Sequence, residues 1–149
     1  MANYNFSDDL SVAQKTENEV GELLKNLGMT ILGYNNDNRY DIKVSRKGSV
    51  KTIEIKEDFL CQDTGNVAVE FKCRGNDSGI AATEADFYLY KVHEIGFQVH
   101  YYLIKTEDLK KLIKEKFYHR IVNGGDANSD SMNYLFFLST IKSNSLLLK

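Results

Sequence analysis

The sequence predicts one α/β domain: a central mixed β-sheet flanked by helices, spanning residues 1–149. Three observations predict it. Residues 8–27, "DDLSVAQKTENEVGELLKNL", space their apolar side chains as one face of a helix. "RYDIKV" (39–44), "TIEIKED" (52–58) and "NVAVEFKC" (66–73) alternate apolar and polar residues as half-buried strands do. No repeat, proline-rich linker or low-complexity run divides the chain, which is long enough for one hydrophobic core.

The elements follow in order. In the first helix Val12, Thr16, Val20, Leu23, Leu24 and Leu27 share a face. Asp8 or Asp9 can cap its start, and Gly28 stands where a glycine ends a helix. "MTILGYN" (29–35) is a short strand and "NNDN" its turn. "RYDIKVS" and "KTIEIKE" then form a hairpin around "RKGS". After the strand 66–73 comes the loop "GNDSG", then a helical turn at "IAATEAD". The aromatic-rich segments 87–92 and 97–104 fit central strands. "TEDLKKLIKEKF" reads as a helix capped by Thr106, "NGGDANSDS" as a glycine-rich loop, and "NYLFFLS" as a last strand. The tail "IKSNSLLLK" carries no clear pattern.

Composition bounds the function classes. The chain is 42% hydrophobic and 27% charged, an ordinary soluble balance, with a net charge of −2. A polyanion would therefore be held by a local basic region or through metal ions. Cys61 and Cys73 have no CxxC partner or histidine at ligand spacing, so free thiols in a reducing compartment are expected. The start "MANYNFSDDL" lacks the basic and apolar regions of a signal peptide. No apolar run approaches the ~20 residues that cross a bilayer. A cytoplasmic protein with no membrane partner is expected.

Strand side chains point alternately to opposite faces, so Asp41, Glu54 and Lys56 can share one surface. The bland reading is a wet sheet face. The sharper one is chemical: carboxylates converging on a point supply hard oxygen ligands for Mg²⁺ or Mn²⁺, and a neighbouring lysine can orient or deprotonate water. The order of a helix bearing glutamate, then Asp41, then Glu54-Ile55-Lys56 thirteen residues later resembles the PD-(D/E)XK nuclease superfamily. The stretch "TENEVGELLKNLG" is similar to the first helix of its Holliday-junction-resolvase-like branch. "TGNVAVE" and "SGIAATEADFY" resemble small phage-encoded endonucleases. The resemblance covers roughly residues 10–105, with 106–149 as a C-terminal elaboration.

That resemblance implies a restriction-endonuclease-like fold and a Mg²⁺- or Mn²⁺-dependent endonuclease that hydrolyses DNA phosphodiesters, encoded by a phage or mobile element. It implies Asp41 and Glu54 as metal ligands together with the Ile55 carbonyl, Lys56 as the water-orienting group, and Glu17 reaching the metal directly or through water. Glu19 is the fallback for Glu17, and Glu22 reads as solvent-facing. A homodimer follows by analogy with relatives that cut two strands. Lys43, Arg46, Lys47 and Lys51 form an acid-free basic hairpin that can contact a phosphate backbone. The basic segment 110–120 can do the same or be a solvated helix face. A rival acid–any–lysine, Glu70-Phe71-Lys72 preceded by Asp63, ranks second because Asp63 falls in a loop-like stretch. His93, His100 and His119 show no metal-ligand spacing. The alternative function is a non-catalytic nucleic-acid-binding or regulatory protein on a nuclease-like scaffold; a further one is a protein-interaction factor.

Overall fold

The computed structural model describes residues 6–35, 37, 39–123 and 130–149, with side chains from Val12 onward. The opening helix, α1, runs Phe6–Asn26 and stops at Gly28, whose φ of +89° is open to glycine at little cost. Strands β1 (Thr30–Tyr34), β2 (Ile42–Arg46) and β3 (Ser49–Asp58) follow as an antiparallel meander. A four-residue helix, α2 (Cys61–Thr64), leads to β4 (Asn66–Cys73), the two-residue β5 (Asn76–Asp77) and one 3₁₀ turn, Gly79–Ala81. The hairpin β6 (Phe87–Glu94) and β7 (Gln98–Lys105) precedes α3 (Thr106–Lys114). The chain then forms β8 (Arg120–Asn123), β9 (Ser131–Phe137), α4 (Leu138–Ser143) and β10 (Leu146–Leu147).

These strands make two sheets. The first is mixed, in the order β1-β2-β3-β6-β7-β10, with β3 and β6 its one parallel pair. The second is antiparallel, in the order β5-β4-β9-β8. A parallel pair cannot be joined by a tight turn. The long crossover between β3 and β6 carries α2, β4 and β5, so it delivers half of the second sheet.

The expectation of a single α/β domain with a mixed sheet agrees with this architecture, but the covering layers differ. Val20 and Leu24 of α1 are wholly buried against Ile42, Val44, Ile53 and Leu89 on one face of the mixed sheet. Its other face, bearing Tyr88, Tyr90, Val92, Tyr102 and Ile104, packs on Val67, Val69 and Phe136 of the second sheet and on Leu109, Leu112 and Ile141 of α3 and α4. Each fully buried aliphatic of this kind contributes ~1.5–3 kcal/mol. One face is therefore covered by a helix and the other mainly by a sheet.

Several local readings need correction. β2 begins at Ile42, so Arg39, Tyr40 and Asp41 precede the strand. Lys105 occupies the N-cap position of α3 and no side chain caps that helix; Thr106 is its buried first residue. The basic run 110–120 is not one helix. It stops at Lys114, turns through Lys116 at φ +59°, and enters β8 at Arg120. The "GNDSG" loop contains β5, and the tail forms α4 and β10. Most of the glycine-rich loop, 124–129, lies outside the described residues. Residues 106–149 supply α3, β8, β9, α4 and the edge strand β10.

Gly79 sits at φ +49°, and a Cβ there would overlap the Glu70 carbonyl oxygen, whereas Gly75 at φ +79° has open space around it. Both positions disfavour L side chains, but only Gly79 adds a backbone clash. Gly79→Ala is expected to lower the unfolding free energy by at least ~1 kcal/mol more than Gly75→Ala in urea denaturation.

Candidate active site

β3 is ten residues long, and it changes partners part-way. From Ser49 to Ile53 it pairs with β2; from Ile53 to Asp58 it pairs with β6. Past Ile53 its β2-side edge has lost the β2 backbone. Asp41, the residue just before β2, fills the gap. Its N–H donates to the Ile53 carbonyl at 3.0 Å, and its Oδ2 accepts the Ile55 N–H at 2.7 Å. A strand residue's N–H and C=O lie on the same edge. The Ile55 carbonyl thus faces the cleft where the Asp41 carboxylate sits.

Glu54 and Lys56 flank Ile55 on the face shared with Tyr88 and Tyr90, their register partners on β6. Lys56 Nζ lies 3.5 Å from Glu54 Oε1; Glu54 is 15% exposed and Lys56 41%. Burial raises the pKa of Asp41, opposed by the Ile55 N–H and by the Lys56 charge. Burial likewise raises Glu54, opposed by Lys56 and reinforced by Asp41 and Glu17. Glu17 is raised by burial and then by Asp41. The three carboxylates are near enough to repel one another, with Lys56 as the counter-charge to Asp41 and Glu54.

The structure also separates the three helix glutamates. Glu19 is held by Lys91 Nζ at 2.7 Å and by the Tyr101 hydroxyl at 3.2 Å, so its pKa falls, chiefly through the Lys91 hydrogen bond. Glu22 pairs with Lys25 at the surface. Glu17 alone couples to Asp41. Thr16, beside it, donates to Glu57 of β3, and Lys91 lies 3.4 Å from the same Glu57. These contacts on either side of Glu17 pin α1 to the sheet.

Two residues that sequence reasoning did not assign to this site adjoin it. Glu70 and Tyr88 line a cleft of about 180 Å³ with Lys56, Gly79, Tyr90 and Asn133. Burial of the Tyr88 hydroxyl, and after it the field of Glu54, Asp41 and Glu70, pushes its pKa upward. The rival motif was the signal for Glu70. The other members of that motif stand apart: Asp63 is exposed in α2 and Lys72 is exposed on β4. Asp58, next along the strand face from Lys56, is structural; it accepts the Cys61 and Ala68 N–H groups at 3.0 Å each.

The basic hairpin is divided by strand parity. Lys43 shares the Glu54 face, with its ammonium 5.7 Å from the Tyr40 ring centre. Arg46 and Lys51 lie on the opposite face, where they line an apolar groove with Leu27, Ile53, Phe87 and Leu146. Lys47 is at the hairpin tip with φ +52°. The histidines are dispersed: His93 bonds Glu57, His100 bonds Glu94, and His119 packs on Phe137. Cys61 and Cys73 are free thiols, and burial pushes Cys61 up to about 11.

Asp41, Glu54, Glu17 and the Ile55 carbonyl offer hard oxygen donors, and their mutual repulsion is what a divalent cation would relieve. The donor chemistry fits Mg²⁺ or Mn²⁺. Among the described residues, however, no group of three or more His, Cys, Asp and Glu side chains is already drawn together as a ligand set. Nor is any helix among them long and apolar enough to cross a membrane. No family model, curated protein or solved structure matches this chain.

Glu17 has only destabilising reasons for its raised pKa. A carboxyl whose folded pKa lies above its unfolded value penalises folding when both states are ionised, and the penalty fades as pH falls through those values. Glu17→Gln is therefore expected to raise the thermal midpoint slightly at pH 7.5, with the advantage lost near pH 4. An advantage that grows on acidification would mean that Glu17 is held by a favourable partner.

Proposed function

We propose that the protein is a metal-dependent endonuclease of PD-(D/E)XK type that hydrolyses DNA phosphodiester bonds. One observation carries the reading: where β2 gives way, the Asp41 carboxylate and the Ile55 carbonyl lie on the freed edge of β3, beside Glu54 and Lys56 on its face, with Glu17 in electrostatic contact from α1. Asp41, Glu54 and the Ile55 carbonyl would hold Mg²⁺ or Mn²⁺, with Glu17 adding a fourth oxygen. Such a cation supplies charge neutralisation at a phosphate oxygen and makes bound water more acidic.

The chain's own groups do the rest. Lys56 is the one cation of the cluster and is partly exposed, so its ammonium can hold a water beside the carboxylates and offset charge that develops on the phosphate. Glu54 keeps that ammonium in place. The Ile55 N–H fixes the Asp41 carboxylate, leaving Asp41 Oδ1 for a ligand. Tyr88 and Glu70 border the space next to Lys56, where the flanking phosphate or leaving group would lie.

A second reading has a specific observation behind it. Lys56 is paired with Glu54 at 3.5 Å, an ion pair that also suits a nucleic-acid-binding protein that no longer cuts. Such a protein would shift DNA mobility under every divalent ion without cleaving.

Under the nuclease reading, Mg²⁺ or Mn²⁺ supports cleavage of plasmid or branched DNA, and Lys56→Ala lowers the rate by ~10²–10⁴-fold while the protein still unfolds cooperatively. Added Mg²⁺ is also expected to raise the midpoint of the wild type at pH 7.5 more than that of Asp41→Asn. Equal cleavage by wild type and Asp41→Asn, with equal midpoint shifts, would move the chemistry elsewhere.

A further inference from the structure

The β6–β7 hairpin ends in Ile95-Gly96-Phe97, and Phe97 carries two separate costs. The residue is 96% exposed, and Ile95 beside it is 75% exposed. Its backbone is left-handed, at φ +62°, directly after Gly96 at φ +85°. Turns with these angles favour Gly, Asn or Asp, which are also better solvated than phenylalanine. A bulky residue at positive φ is an outlier that points toward function.

The tip's size limits what it can grip. A stable protein interface buries ~800 Å² on each partner, whereas one aromatic buries at most ~250 Å². Behind the tip, Phe59 is stacked on His93 at 4.5 Å and remains 48% exposed. A protruding ring with an aliphatic neighbour matches the area of a nucleobase, whose face it can stack on. The direction also suits. β6 runs parallel to β3, with Tyr90 opposite Lys56, so the tip lies beyond the end toward which β3 runs. At ~3.3 Å per residue it stands roughly 15–20 Å from Lys56. That is the span of a short stretch of strand, a few nucleotides long.

We propose that Phe97, supported by Ile95, is a stacking finger for an unpaired base a few nucleotides from the phosphate held at Lys56. This rests on the nucleic-acid reading above. It assigns the hairpin tip to single-stranded or unpaired DNA, because a base within an intact duplex has both faces occupied.

The chain contains no tryptophan, so Phe97→Trp places a single indole at the tip. In a Lys56→Ala background with Mg²⁺, its emission is expected to fall several-fold as a single-stranded 20-mer is added, and to change little with a perfect duplex. Phe97→Asn suits the left-handed backbone, so its thermal midpoint should equal or exceed that of the wild type. Its affinity for the single strand should nonetheless drop about ten-fold or more. Unchanged emission on DNA that binds by anisotropy, with undiminished affinity of Phe97→Asn, would overturn the finger and leave the nuclease reading intact. Quenching without cleavage by the wild type under Mg²⁺ or Mn²⁺ would keep the finger and remove the nuclease. Failure to bind either DNA would remove both.

Discussion

The hydrogen bond from the Ile55 N–H to the Asp41 carboxylate is the interaction on which the arrangement turns. β3 must leave β2 and continue beside β6, and at that fork a backbone donor loses its ladder partner. An unmade bond at a half-buried amide costs on the order of 1–3 kcal/mol, so the fork needs an acceptor. A carboxylate supplies it while keeping one oxygen to spare. A strand residue in the same place would have closed the edge and hidden the Ile55 carbonyl. The same atom that completes the sheet therefore holds the cleft open.

That solution concentrates negative charge, and the surrounding structure bears it. Asp41, Glu54 and Glu17 are each pushed toward protonation, with Lys56 the cation opposing this at Asp41 and Glu54. Repulsion of this kind would drive α1 away from the sheet. The buried Val20 and Leu24 resist it, as do the links from Thr16 to Glu57 and from Glu19 to Lys91. Glu17 is thus held beside like charges by favourable contacts at the residues next to it. Groups kept in an unfavourable electrostatic position by the rest of a fold are typical of sites that bind or react.

What was legible in the sequence follows from what is local. Alternation in Asn66–Cys73 and in Ser49–Asp58 reports a strand with unequal faces, and both strands form where that pattern lies. The grouping of Asp41, Glu54 and Lys56 was readable because two strands and a tight turn fix it. The choice of Glu17 over Glu19 was readable only as a position bordering the apolar face; what separates them is Lys91, seventy-two residues from Glu19. The start of β2 was not readable, because Tyr40-Asp41-Ile42 continues the alternation although Asp41 turns its side chain to the edge. Nor was the second sheet. Which strands share a sheet depends on pairings such as that of β4 with β9, more than sixty residues on, and β10 is two residues long and exists only against β7.

The crossover explains why Glu70 belongs near this site despite its distance in sequence. A parallel β3–β6 pair requires a long return, and here the return folds into β4 before it rejoins the sheet. Asp58, at the end of β3, fastens that return by accepting the Ala68 and Cys61 N–H groups. With β4 tied there, Glu70 falls two residues further along, at the wall of the cleft opposite Lys56. The tight approach of Gly79 to the Glu70 carbonyl then closes the return over the same space. The wall that meets whatever lies beside Lys56 is therefore set by the parallel pairing itself.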